Sequence, residues 1–152
     1  MNWEAISAVG EIIGAVAVVV SLIYLATQVR SSFRATRATV HMGLHNSQAQ
    51  FSSLLLSDPA LRDLFDKACV GDPKLSTADR AGASVLLSML FDKYELFFFL
   101  SREGMFSTDV ERAMNRIIAT RLESPGIKAW WDDNDDKFSA DFVKWANERY
   151  DA

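Results

Sequence analysis

The stretch from Ala5 to Ala26, AISAVGEIIGAVAVVVSLIYLA, constrains the fold more than any other feature, because it holds a single charge, Glu11, and no proline. A helix that crosses a bilayer needs about 20 mostly apolar residues at about 1.5 Å each, and this run is long enough. Trp3 and Tyr24 would stand roughly 32 Å apart on it, close to the ~30 Å hydrocarbon thickness, as two interfacial aromatic anchors do. A cleaved signal peptide needs a positive leading region and a small-residue cleavage site. Here the opening is MNWE, and the run continues into TQVRSSFR. A buried soluble helix is the other alternative, and the length and Val/Ile bias of the run argue against it. The sequence predicts a retained transmembrane helix.

The flanks set its orientation. Glu4 precedes the run, whereas Arg30, Arg34 and Arg37 follow it with no acid before Asp58. The positive-inside rule then puts Met1 outside and Ala152 in the cytoplasm. The three arginines lie within two turns of the membrane surface, where contact with anionic lipid headgroups is worth about 1 kcal/mol each.

Within the run, Glu4, Ser7, Glu11, Gly14, Val18, Ser21, Leu25 and Gln28 follow steps of three and four, a single helical stripe that gathers nearly every polar residue. The opposite arc carries Ile6, Ile13, Val16, Val20 and Ile23 and suits acyl chains. Gly10 and Gly14 form a small-xxx-small pair that lets two helices approach closely. Glu11 falls about 12 Å along the helix from Trp3, inside the hydrocarbon zone. An acid at helix centre costs ~2.5–3.5 kcal/mol on insertion scales, so it is expected to face protein or water. A shallower helix with Glu11 at the outer interface is the alternative. The stripe points to a homo-oligomer, in which a ring of Glu11 would line a wet passage.

No proline interrupts residues 2 to 58, so the helix is expected to run on as a stem, with Phe33, Val40, Leu44, Phe51 and Leu55 on one face. Asp58-Pro59 should break it and open a short helix, PALRDLFDKACV, that ends at Gly71-Asp72-Pro73. Ser76 or Thr77 should start the longest soluble helix, reaching Glu103 and stopping at Gly104. Ser107 or Thr108 opens the next, up to Ser124-Pro125-Gly126, and two short helices follow around Ile127–Asp135 and Ser139–Tyr150. Sustained period-two alternation is absent. The expected fold is all-α, with a transmembrane helix (1–29), a helical stem (30–57) and a small cytoplasmic helical bundle (58–152). The apolar block VLLSMLFDKYELFFFL carries Asp92, Lys93 and Glu95 at its middle, too costly for lipid, and reads as the central helix of that bundle.

Candidate chemistry is sparse. His41 and His45 have metal-binding spacing on a helix without further ligands. The run Asp132–Asp136 opens like a calcium loop, but Lys137 stands where Gly is needed and Val143 where Glu is needed. Asp92 and Glu95 lie one turn apart in an apolar helix, a place for a raised pKa or a salt bridge to Lys93, Arg102 or another Arg. Trp130, Trp131, Phe138, Phe142 and Trp145 are expected to close the bundle core. No nucleophile elbow or phosphate loop is present, so neither an enzyme nor a cofactor is expected. A net charge of −4 and a pI near 5.1 argue against nucleic acid. The lone Cys69 rules out a disulfide scaffold.

Trp3-Glu4 with the glycine-bearing run, Gln28-x-Arg30, Asp58-Pro59-x-Leu61, Tyr94-Glu95, Arg102-Glu103-Gly104 and Ser124–Trp131 (SPGIKAWW) together resemble a family of small bacterial single-span membrane proteins built on a domain of unknown function. Its members tend to carry a Gln near Leu100 and a Trp near Glu111, and this chain has neither. The resemblance implies an all-helical fold at the bacterial inner membrane and supplies no catalytic residue. The expected role is structural or protein-interacting, with membrane lipid and further copies as partners. An oligomeric pore is the alternative.

Overall fold

The computed structural model describes residues 3–150, the side chains of 4–9 and 150 excepted. The described residues are helical throughout, without strand: α1 (Trp3–Ser57), α2 (Pro59–Val70), α3 (Thr77–Arg102), α4 (Thr108–Leu122), α5 (Pro125–Asp132), a 3-10 turn (Asp135–Lys137) and α6 (Ala140–Tyr150). The chain divides into two compact units, Met1–His41 and Met42–Ala152.

The first unit is a single stretch of α1. From Gly10 to Thr39 every residue is exposed, including Ile13, Val16, Val20 and Ile23 at 57–64% of their surface. This helix is long and apolar enough to cross a membrane by length and composition, and its apolar window has a mean hydropathy of 2.3.

The second unit is a bundle with a dry core. Asp58 caps α2, its carboxylate accepting from the Ala60 and Leu61 amides while Pro59 sits at the first position, whose amide needs no helical partner. Gly71 closes α2 with φ +73°, a left-handed conformation that favours glycine. Ser76 and Asp79 form a capping box at the start of α3. Helix α5 begins at Pro125, earlier than the sequence suggests. Ser124-Pro125-Gly126 reads as a turn, but a proline with pre-set φ is well placed to open a helix.

Helix α2 packs on α3 and α5, α5 also on α3 and α4, and α4 on α6. Gly126 permits the closest approach. A Cβ there would lie 1.9 Å from the Ala68 carbonyl oxygen and 2.4 Å from the Gly71 nitrogen. Around that crossing Leu87, Phe91, Phe97, Ile118, Leu122, Ile127, Trp131 and Phe142 are almost wholly buried. Each large side chain so buried contributes about 1.5–3 kcal/mol of transfer free energy. Phe91 stacks on Trp131 at 4.7 Å, and Phe142 stands edge-on to Trp131 at 5.7 Å. The indole N–H of Trp131 donates to Asn147 Oδ1 and that of Trp130 to Ser84 Oγ, both at 2.8 Å, so neither ring leaves a polar atom stranded. The expected aromatic closure of the core is present: Phe98, Phe142 and Trp145 meet with centroids 5.3–5.8 Å apart.

Helix α3 is the central helix in only one direction. Ala83, Leu86, Leu87, Leu90, Phe91, Tyr94, Phe97 and Phe98 face the core, whereas Val85, Met89, Leu96 and Phe99 on its other side remain exposed. Neighbours were expected to surround it, and they cover one side alone.

Candidate functional site

The stripe of α1 provides the candidate site. Glu4 and Ser7 lie outside the described residues. Gly10, Glu11, Gly14, Val18, Ser21, Leu25 and Gln28 are all exposed. A Cβ at Gly10 or Gly14 would meet nothing within 4 Å, so nothing in the chain itself requires glycine at either position. Glycine at a helix interior costs about 1 kcal/mol against alanine, and no contact among the described residues offsets that cost here.

The polar members of the stripe differ in what they need. Ser21 Oγ donates to the Ala17 carbonyl at 2.8 Å and is satisfied by its own helix. Thr27 bonds the Tyr24 carbonyl in the same way at 2.7 Å. Glu11 and Gln28 have no such side-chain partner among the described residues.

Beyond Gln28 the same steps of four and three reach Ser32, Ala35 and Thr39, all exposed and all small. Thr39 donates to the Ala35 carbonyl at 3.1 Å, so its hydroxyl too is met within the helix. Tyr24, Thr27, Gln28, Ser31, Ser32 and Ala35 line an open concavity along this face. The sequence reading followed a different line beyond the span and missed these residues; extending the unchanged three-four step would have found them.

The line it followed divides in two. Phe33 is 54% exposed, whereas Val40, Leu44, Phe51 and Leu55 are half-buried. In the second unit Phe51 stands edge-on to Phe65 of α2 at 5.6 Å, and Lys93 of α3 sits 5.4 Å from the centroid of the Phe51 ring. Lys93 Nζ also donates to Gln48 Oε1. Within the second unit, Gln48 and Phe51 of α1 therefore meet α2 and α3.

Arg30, Arg34 and Arg37 are exposed, at the steps of four and three that keep them on one side of α1. Arg37 has a contact within the chain, as does the half-buried His41. No group of three or more His, Cys, Asp or Glu capable of holding a metal occurs among the described residues.

The acids of α3 behave differently from each other. Glu95 accepts from the Ser139 amide at 2.8 Å and so holds the start of α6 against α3. Asp92 has no such partner, and partial burial together with the Glu95 carboxylate pushes its pKa up. Among the described residues neither forms the salt bridge that the sequence suggests; Arg102 pairs instead with Asp141 at 2.5 Å. Burial holds the Lys93 ammonium below the usual lysine range, with the Arg121 charge acting in the same direction. Burial pushes the Tyr94 phenol up to about 12.

No family model, no curated protein and no solved structure matches this chain.

Proposed function

We propose that the chain is a single-pass membrane protein of structural or interaction type, anchored in a bacterial inner membrane by residues 1–29 and self-assembling through the stripe of its span. One observation carries the reading. Gly10 and Gly14 leave open space on the helix face that also bears Glu11, an acid with no side-chain partner among the described residues. Close packing of further copies on that face fills the space and takes Glu11 out of lipid in one step. Arg30, Arg34 and Arg37 favour a cytoplasmic bundle and contact anionic headgroups.

A pore is the second reading, favoured by the same unpartnered carboxylate: a ring of Glu11 would attract cations and keep a narrow passage wet. Reconstitution in liposomes separates the two. A pore conducts, and Glu11→Ala alters the conductance, whereas a structural assembly forms without conductance. In either case Gly14→Leu should lower the assembled fraction and Val20→Leu should leave it unchanged. A chain that stays monomeric in lipid overturns both readings.

A further inference from the structure

The end of α1, residues 42–57, lies against the bundle without entering its core. Every buried apolar side chain among the described residues belongs to Phe65 or to a later position, so the core is complete from α2 onward. Between residues 42 and 57 only Leu44, Phe51, Ser52, Leu54 and Leu55 reach half-burial. A segment with so little buried surface opens at a lower free energy than the core it rests on.

A cation fastens it. Lys93 of α3 donates from Nζ to Gln48 Oε1, and it lies 5.4 Å from the centroid of the Phe51 ring and 5.7 Å from that of Tyr94. An ammonium within about 6 Å of an aromatic face is attracted to it. Gln48 and Phe51 are three residues apart, so one face of α1 presents both. The Gln48 amide nitrogen donates to Ser52 Oγ at 3.3 Å, which leaves its oxygen for Lys93.

The same cation makes the grip reversible. Lys93 forms no ion pair among the described residues, so docking exchanges its water for a neutral amide and two rings. Burial disfavours the ammonium there, and the charge of Arg121 opposes it as well. That penalty offsets part of what the hydrogen bond and the rings contribute. A pivot lies at the end of the segment. Asp58 alone separates α1 from α2, with extended φ −128° and ψ 103°. A single residue between two helices is enough to absorb a large change in φ and ψ.

We infer that residues 42–57 form a strap that lifts from α2 and α3 about Asp58 while the bundle stays folded, with Lys93 against Gln48 and Phe51 as its fastener. The inference stands on the second unit alone and is independent of the proposed span assembly.

The test is a spin-label distance measurement on the full chain in detergent, with Cys69→Ser as background. Labels sit at Ser47→Cys on α1 and Lys144→Cys on α6, both exposed positions. Labelled chains are diluted with unlabelled ones, so that only pairs within one chain are read. The docked strap gives one narrow distance. Gln48→Ala leaves the ammonium half-buried without its acceptor and should raise the lifted fraction, read as a second, broad distance, by about tenfold or more. Adding Phe51→Ala should make the lifted form the major one. Lys93→Met in the Gln48→Ala chain removes the stranded charge and should restore the narrow distance. Tryptophan fluorescence, which follows Trp130, Trp131 and Trp145 in the bundle, should not change in any of these chains. A single narrow distance in the chain carrying both Gln48→Ala and Phe51→Ala means that the segment is held elsewhere, and it overturns the inference. Loss of the bundle fluorescence together with the narrow distance means that the segment is part of the core fold, and it does the same. Failure of Lys93→Met to restore docking removes Lys93 as the fastener and also overturns it. None of these outcomes bears on the span assembly, which the oligomeric state in lipid reads separately.

Discussion

Helix α1 between Gly10 and Thr39 and the interior of the bundle are built from the same aliphatic stock, yet they solve opposite problems. Val20 is 59% exposed on α1, and Ile118 is fully buried on α4. The bundle hides its apolar side chains against one another, and among the described residues the polar side-chain atoms buried without a partner are the Ser101 and Ser139 hydroxyls. That stretch of α1 has no neighbour among the described residues of its unit that could do the same. Glycine makes the contrast sharpest. Gly126 is fixed by backbone within 1.9 Å of where a Cβ would sit, while Gly14 faces open space. One glycine closes a core that the chain builds for itself. The other has open space beside it among the described residues.

The largest expected effect tests the self-sufficient half. Trp131→Ala should cost the bundle about 3–5 kcal/mol, because it removes the ring stacked on Phe91 and leaves a cavity. Val20→Ala should leave bundle stability unchanged. Denaturant titration of the full chain in detergent, followed by fluorescence of the remaining tryptophans, reads both. Equal losses would erase the distinction between the two regions.

The glycine pair comes next. Gly126→Ala drives a methyl into the backbone of α2 and should cost about 3 kcal/mol, at the upper end of overpacking penalties. Gly14→Ala should leave that titration unmoved. A stable Gly126→Ala bundle would mean that α2 and α5 can part without loss.

Tyr94 gives a smaller, pH-dependent effect. The folded chain keeps the phenol neutral up to about 12, whereas an unfolded tyrosine ionises near 10. Between those values the unfolded state binds fewer protons, so stability falls as pH rises from 10 to 12. The loss reaches at most about 3 kcal/mol, since each pKa step is worth ~1.4 kcal/mol. Tyr94→Phe should remove this part of the alkaline slope and cost little at neutral pH, since the hydroxyl makes no hydrogen bond among the described residues. An unchanged slope in that variant would assign alkaline loss to other groups.

Local signals carried most of the fold. The Asp58 cap, Gly71, the Ser76–Asp79 box and Gly104 with φ 66° each act within a few residues, so the sequence alone marks where the helices begin and end. What it could not mark depends on distant neighbours. The role of Gly126 arises only when α5 crosses α2. The all-round apolarity of Val85–Leu100 identifies a helix in need of cover but not which side the chain itself covers. Glu95 looked like half of an acid pair and proved to be an anchor for the Ser139 amide, 44 residues away. The candidate stripe was legible as far as Gln28 because its step is regular. It was lost beyond because bulky residues at Phe33, Val40 and Leu44 draw attention from the smaller Ser32, Ala35 and Thr39.

The most direct measurement is a cysteine scan of residues 10 to 28 in native membranes, with Cys69 replaced and cross-linking read at each position. The account predicts a three-four rhythm, with strong cross-links at Glu11, Gly14, Val18, Ser21, Leu25 and Gln28 and weak ones at Ile13, Val16, Val20 and Ile23. Equal cross-linking around the helix, or none at any position, would contradict it.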